Sequence, residues 1–262
     1  MAINKKIIVG NWKMNPVSLK EAEKIFSGIA KGFAVLKKTQ VIICPPALFL
    51  EKLKKVSTKI SLGSQDAFWE ESGAFTGEIS ASMLDTLGVR YTIVGHSEQR
   101  HKYTDEEINR KVRGCLASGI IPILCVGETE RDADHKYLNF VKQQVESALD
   151  KVSKNSLAKV IIAYEPIWAI GKTAVREATS AEFLEMSLLI KKVLNDKFGK
   201  SATDTVKILY GGSVNTKNAL DFLENGKADG LLVGRESLNP AKFTEIIKTS
   251  ENLNSLKGPN KK

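Results

Sequence analysis

The 262-residue chain has few cysteines and no long apolar run. Its three cysteines, Cys44, Cys115 and Cys125, are odd in number and lack the spacing of metal ligands, which favours a reducing cytoplasm over an oxidising compartment. No run reaches the about 18–20 apolar residues of a membrane-spanning helix, and the apolar stretch 7–10 is too short for a signal peptide. These absences predict a cytoplasmic protein with no membrane partner and no cysteine-held metal.

The net charge of +9 is concentrated near the beginning of the chain. Residues 1–60 contain 12 lysines and 3 acids, whereas the remainder holds 27 basic and 27 acidic residues. A basic sector can attract nucleic acid or an anionic substrate. However, these lysines alternate with apolar residues at helical spacing, and no aromatic platform for base stacking accompanies them. We interpret them as solvated helix faces and expect no nucleic-acid partner.

Eight short apolar runs recur along the chain, with recognisable helix starts between them. The runs show little polar alternation, which is typical of strands buried on both faces of a parallel sheet. Three helix starts fit a capping box, namely Ser18 with Glu21, Thr104 with Glu107, and Thr179 with Glu182. The eight predicted strands are KIIVGN, QVIICP, KISLGS, RYTIVG, IPILCV, KVIIAY, VKILYG and DGLLVG.

Eight strand–helix units in this length predict an α/β fold, a single-domain (β/α)₈ barrel. We expect it to span residues 1–262, with a frayed basic tail at about 254–262. The alternative is a doubly wound open sheet, but the Gly-x-Gly-x-x-Gly pattern typical of that fold is missing after the first strand. In a barrel the reactive groups lie at the carboxyl ends of the strands.

Polar residues follow the predicted strands at those carboxyl ends. Asn11 and Lys13 follow the first strand, His96 and Ser97 the fourth, and Glu165 the sixth. Glu165 can serve as a general base, Lys13 as a fixed positive charge, and His96, predicted to open a short helix, as a neutral donor. The turns YGGSVN and VGRESL offer backbone N–H groups to a phosphate. Together these groups predict proton abstraction beside a carbonyl.

The segments that carry these residues resemble the signature segments of the triosephosphate isomerase family. They are GNWKMN, VGHSEQR, AYEPIWAIG, YGGSV and LLVG, spread over most of the chain. The resemblance implies a TIM barrel that interconverts dihydroxyacetone phosphate and D-glyceraldehyde 3-phosphate, without metal or cofactor. It also implies that Glu165 moves the proton, His96 polarises the substrate oxygens, and Lys13 and Asn11 stabilise the developing negative charge.

The resemblance further implies a phosphate site made of backbone N–H groups at Gly171, Ser213, Gly234 and Arg235. Arg235 stands where glycine is common in the family. Its backbone N–H can still bind phosphate, provided that the φ of Arg235 is negative. The family's lid over the phosphate commonly reads AIGTGKTA, whereas this chain reads AIGKTA. We therefore expect a lid that is two residues shorter, in which Gly171 aligns with either glycine of the longer form.

Two other segments match the family. Ser97 and Glu98 match the residues beside the catalytic histidine, and Gln99 stands where many members have arginine. Residues 64–80 match the loop that inserts into a partner subunit, so the resemblance implies a homodimer in which Thr76 reaches the neighbouring active site. A long glycine-containing loop within a compact domain is itself typical of a binding segment.

Each feature alone has an ordinary explanation, such as a solvated rim glutamate or a simple Gly-Gly turn. Three hypotheses remain: an isomerase with a shortened lid, a barrel enzyme acting on a related phosphorylated triose or enol, and a non-catalytic binder of sugar phosphate or nucleic acid. The intact set of Asn11, Lys13, His96 and Glu165 disfavours the binder, because binding alone requires no base. Isomerisation of glyceraldehyde 3-phosphate in a coupled assay separates the three.

Overall fold

Eight parallel strands form the centre of the molecule. The computed structural model describes residues 5–33, 35–171 and 174–253, so the predicted tail at 254–262 lies outside the described residues. Each predicted run overlaps one strand, and no strand begins more than two residues from its predicted start. The strands are β1 (Lys6–Asn11), β2 (Thr39–Cys44), β3 (Ser61–Ser64), β4 (Tyr91–Val94), β5 (Ile121–Val126), β6 (Ile161–Tyr164), β7 (Lys207–Tyr210) and β8 (Gly230–Val233).

The sheet closes on itself in sequence order, from β1 to β8. One edge of β1 pairs with β2, with Asn11 opposite Cys44, and the other edge pairs with β8, with Gly10 opposite Val233. The predicted (β/α)₈ barrel is therefore confirmed, and the open doubly wound sheet is excluded. Since all eight strands are parallel, their carboxyl ends meet at one rim.

Helices surround the barrel, and two of the three predicted capping boxes are complete. Thr104 with Glu107 and Thr179 with Glu182 bond reciprocally, while Ser18 accepts a hydrogen bond from the N–H of Glu21. In the described part of the chain, no helix is long and apolar enough to cross a membrane. The helices are α1 (Leu19–Lys31), α2 (Leu50–Lys54), α3 (Ala81–Thr86), α4 (Asp105–Ala117), α5 (Lys136–Ala148), α6 (Lys154–Leu157), α7 (Ser180–Phe198), α8 (Lys200–Thr203), α9 (Ala219–Glu224) and α10 (Pro240–Asn252).

Alternate strand residues fill two separate apolar layers. Val9 and Ile42 belong to the cluster formed by strand residues alone, whereas Ile8 and Ile43 belong to the larger cluster shared with the helices. Because both faces of each strand are buried, the strand sequences need no polar alternation. The three free cysteines lie in this interior, and burial raises the pKa of the Cys115 thiol to about 12.

One charged side chain is almost wholly buried in the helix layer. Lys111 of α4 is 1% exposed, and its ammonium lies 2.5 Å from the carboxylate of Asp66. The same ammonium stands 3.4 Å from the centre of the Tyr103 ring. Burial, and then the negative charge of Asp66, raises the pKa of Tyr103 to about 12. This contact joins α4 to the beginning of the 64–80 segment.

Candidate active site

A cavity of about 490 Å³ opens at the rim where the strands end. Asn11 is the last residue of β1, and Gly234 directly follows β8. The cavity is therefore built from loops that are distant in sequence. Its lining includes the predicted residues Asn11, Lys13, Glu98, Gly171, Ser213, Gly234 and Arg235.

Glu165 and His96 lie together at the same rim but are largely covered. Their side chains are 3% and 10% exposed, and Oε1 of Glu165 lies 3.3 Å from Nε2 of His96. The other oxygen of Glu165, Oε2, accepts a hydrogen bond of 3.1 Å from the backbone N–H of Ser97. Glu98 connects this pair to the cavity, because it lines the cavity and lies 3.9 Å from Nδ1 of His96.

The hydrogen bonds of His96 assign its tautomer. The backbone N–H of Glu98 donates to Nδ1 of His96 at 3.2 Å, so Nδ1 acts as an acceptor. A neutral ring then carries its proton on Nε2, which faces Glu165. The expectation that His96 opens a helix is wrong. It precedes a turn that leads into a short 3₁₀ helix, Arg100–Lys102, and the local N–H of Glu98, rather than a helix end, favours the unprotonated Nδ1.

Lys13 is held in a conformation that non-glycine residues rarely adopt. Its φ is +52°, in the left-handed region, which carries an energetic cost for a residue with a Cβ atom. Its N–H donates to Oδ1 of Asn11 at 3.0 Å, and its carbonyl accepts from Nε2 of Gln65 at 2.7 Å. The ammonium forms a 2.7 Å ion pair with Glu98. Sequence reasoning missed Gln65, since nothing in its local pattern indicates a contact 52 residues away.

The predicted phosphate-binding turns surround the other side of the cavity. Arg235 is not among the non-glycine residues with positive φ, so its backbone meets the condition set by the sequence. Gly171 has a φ of +77°, which favours glycine. Ser213 Oγ donates to the carbonyl of Ala169 at 2.7 Å, which connects this turn to the segment after Glu165.

The segment after Glu165, residues 166–178, is called the lid here, and its base is anchored by Trp168. The indole N–H of Trp168 donates to Oε1 of Glu128 at 2.8 Å, and the same oxygen accepts from the Tyr164 hydroxyl at 2.7 Å. The N–H of Val175 returns to the carbonyl of Trp168 at 2.8 Å. Lys172 and Thr173, beside which the sequence predicts the two-residue difference, lie outside the described residues.

Glu128 is a residue that sequence reasoning missed. It is 1% exposed and follows β5 at the same rim, so its position after an apolar run is the signal that could have identified it. The guanidinium groups of Arg131 and Arg176 lie over the Trp168 ring, 5.7 Å and 4.5 Å from its centre. The lid is therefore attached to the loop after β5, and a 3.0 Å hydrogen bond from its own Arg176 to Glu182 attaches it to the start of α7.

Thr76 does not reach this site within its own chain. It lies in the exposed part of the 64–80 segment, where the rings of Phe68 and Phe75 are 4.6 Å apart and Phe75 is 43% exposed. No metal centre is evident either: within the described ranges, no three His, Cys, Asp or Glu side chains are grouped so that they could hold an ion.

The closed barrel, with its polar side chains gathered at the carboxyl ends of the strands, defines a (β/α)₈-barrel enzyme. A family model described as Triosephosphate isomerase matches residues 6–250. The chain belongs to the triosephosphate isomerase family and is an intramolecular aldose–ketose isomerase, as the signature segments predict.

Individual relatives agree with the family model. The chain is 40% identical over 251 residues to the triosephosphate isomerase of Alkaliphilus oremlandii, covering 94% of this chain and 99% of the relative. It is 38% identical over 254 residues to that of Dictyoglomus thermophilum, covering 94% and 100%. A third relative, from a Thermoanaerobacter species, is 40% identical over 250 residues, covering 94% and 99%.

Proposed function

We propose that this protein interconverts dihydroxyacetone phosphate and D-glyceraldehyde 3-phosphate, as a cytoplasmic enzyme of glycolysis and gluconeogenesis. The observation that carries the proposal is the 3.3 Å approach of the Glu165 carboxylate to Nε2 of His96 beside a cavity lined by Asn11 and Lys13. A carboxylate base and a neutral imidazole donor are the groups that an enediolate mechanism requires. The relatives' name, triosephosphate isomerase, supports the choice of substrate.

The proposed reaction transfers protons without net gain or loss. The Glu165 carboxylate takes a proton from C1 of dihydroxyacetone phosphate, and the C–H electron pair becomes the C1–C2 double bond while the C2 oxygen becomes negative. His96 donates its Nε2 proton to that oxygen and recovers a proton from the C1 hydroxyl. Glu165 then returns its proton to C2, which leaves the C1 carbonyl of D-glyceraldehyde 3-phosphate.

The surrounding groups support this reaction by charge and position. Lys13 and Asn11 stabilise the negative oxygen, and backbone N–H groups at Gly234 and Arg235 hold the phosphate. Since Glu165 is 2% exposed and bonded to the N–H of Ser97, it must rotate toward the cavity before it reaches C1. Binding of substrate therefore has to replace the bond between Glu165 and Ser97.

Substitution of Glu165 tests the proposal. Glu165→Gln removes the base while keeping the shape, so we expect a folded protein whose turnover falls by about 10²–10⁴-fold or more in a coupled assay. Glu165→Asp is the matched control, because it keeps a carboxylate but withdraws it from the substrate. Its activity should lie between that of the wild type and that of Glu165→Gln. A folded Glu165→Gln protein within tenfold of wild type would exclude Glu165 as the base.

The shortened lid is part of the proposal. We expect a lid lacking two residues to reach about 7 Å less far along its contour, so that it covers the phosphate and the enediolate less completely. Inserting Thr-Gly after Gly171 should raise kcat/KM and reduce elimination of phosphate from the intermediate. Unchanged or lower turnover would show that the short lid already fits its site.

We also propose a homodimer formed through residues 64–80. In support, Phe75 and Ile79 in this segment are 43% and 38% exposed, and Met14 is 92% exposed. Met14 adjoins the segment, because the carbonyl of Lys13 accepts a hydrogen bond from Gln65. Deleting residues 70–78 should yield a monomer with weak activity. A wild-type protein that sediments as an active monomer at low micromolar concentration would contradict the dimer.

A further inference from the structure

Four charged side chains line the active-site cavity, and three of them already have a partner. Lys13 is paired with Glu98 at 2.7 Å, and Glu236 is paired with Lys242 at 3.1 Å. Arg235, in contrast, has no ion pair and no side-chain hydrogen bond to any other described residue. Among the described residues, Arg235 is therefore the one charged side chain of the cavity lining that has no ion-pair partner.

Arg235 is positioned by the turn after β8. It follows Gly234 directly and begins a short 3₁₀ helix, Arg235–Leu238, with its side chain exposed at the cavity. A Cβ atom built on Gly234 would lie 3.8 Å from Cε of Lys13, so this turn lies beside the Lys13 side chain. The turn that carries the guanidinium therefore adjoins the Lys13 side chain in the wall of one cavity.

We propose that the guanidinium of Arg235 binds the phosphate of the substrate through its side chain, in addition to any backbone contact, and selects for a dianionic group. This inference rests on the proposed function and extends it to a specificity-determining residue. Glu98 already offsets the charge of Lys13, so among the described lining residues Arg235 is the cation whose charge is left to attract a phosphate dianion. The planar guanidinium can donate two parallel hydrogen bonds to phosphate oxygens, which an ammonium cannot.

Three variants test this role. Arg235→Gln removes the charge and keeps a polar side chain. Arg235→Lys keeps the charge but cannot donate two parallel hydrogen bonds to the phosphate. Arg113→Gln is the matched control, since Arg113 is exposed on α4, lacks an ion pair to the described residues and contributes the same net charge. The measurements are calorimetric binding of inorganic phosphate, and kcat and KM for D-glyceraldehyde 3-phosphate, each at low and high ionic strength.

We expect Arg235→Gln to weaken phosphate binding and raise KM roughly tenfold at low ionic strength, with a smaller change in kcat. The difference should shrink as salt screens the exposed charge. Arg235→Lys should recover part of the loss, and Arg113→Gln should match wild type. Phosphate binding by Arg235→Gln within twofold of wild type would overturn the inference. So would an equal loss in Arg113→Gln or no recovery in Arg235→Lys.

The inference and the proposed function fail in different ways. A wild-type protein that does not isomerise triose phosphate would refute the proposed function, and phosphate calorimetry would still test Arg235 in that protein. If the wild type is active but Arg235→Gln binds phosphate as tightly as the wild type does, the inference is refuted and the proposed function stands.

Discussion

The buried contact between Lys111 and Asp66 leads to a prediction about which partner is more costly to remove. Lys111 is 1% exposed, whereas the side chain of Asp66 is 27% exposed. Removing one partner of a buried ion pair costs about 3–5 kcal/mol, because the remaining charge is left without compensation. Asp66→Asn leaves a fully buried ammonium, so we expect a loss of unfolding free energy near the upper part of that range.

Lys111→Met should be milder. The methionine side chain fills a similar volume, and the Asp66 carboxylate that remains is still reached by water. We expect a loss of about 1–3 kcal/mol, including about 1 kcal/mol for the contact of the ammonium with the Tyr103 ring. The double variant leaves no buried charge and should be less destabilised than Asp66→Asn alone.

Urea unfolding at pH 7 measures all four proteins. Because the proposed dimer would couple unfolding to assembly, every protein must be compared at one concentration. The predicted order of destabilisation is Asp66→Asn, then Lys111→Met, then the double variant. The reasoning would be refuted if Lys111→Met were the more destabilised single variant, or if the double variant lost the sum of the two single effects.

Two further predictions concern the end of the lid and the support of the base. Hydrogen bonding to Arg176 lowers the pKa of the Glu182 carboxyl to about 2, so the stability this group contributes is present above pH 4.5 and lost as pH falls through 2. Glu182→Gln should lower the unfolding free energy by about 1 kcal/mol at pH 6, and a penalty that persists at pH 2 would contradict the assignment. Gly127→Ala should place a Cβ atom 1.9 Å from the carbonyl oxygen of Glu165. Displacing the Glu165 backbone should lower kcat by about 10²-fold. A folded Gly127→Ala variant whose kcat is within threefold of wild type would show that this backbone can shift without moving the carboxylate.

The barrel was predictable because its strands are buried on both faces. Ile8 faces the helices and Val9 the barrel interior, so each run is apolar throughout and stands out from the amphipathic helices between the runs. Capping boxes such as Thr104 with Glu107 involve residues close in sequence, so they too can be predicted from the sequence alone. The grouping of Asn11, His96 and Glu165 followed from closure alone, since a closed parallel barrel brings all carboxyl ends to one rim.

What the sequence did not reveal depends on contacts between distant segments. Gln65 holds the carbonyl of Lys13 at 2.7 Å, and Glu128 anchors Trp168, yet each is an ordinary polar residue in its local context. From the sequence, Lys111 of α4 cannot be distinguished from the solvated basic residues Arg110 and Arg113 on the same helix, because its burial depends on Asp66 in the distant 64–80 segment. The helix predicted at His96 was wrong, because the His96 carbonyl accepts from the N–H groups of Gln99 and Arg100 in a turn and the 3₁₀ helix begins only at Arg100.

Closure of the barrel also has a consequence for synthesis of the chain on the ribosome. The second edge of β1 pairs with β8, whose residues are added more than two hundred residues later. At about 5–20 residues per second, β1 waits roughly 10–40 s for that partner. During this time an apolar strand with an unpaired edge is open to pairing with other chains. The nascent protein is therefore most exposed to aggregation, and most in need of chaperones, until Val233 has left the ribosome.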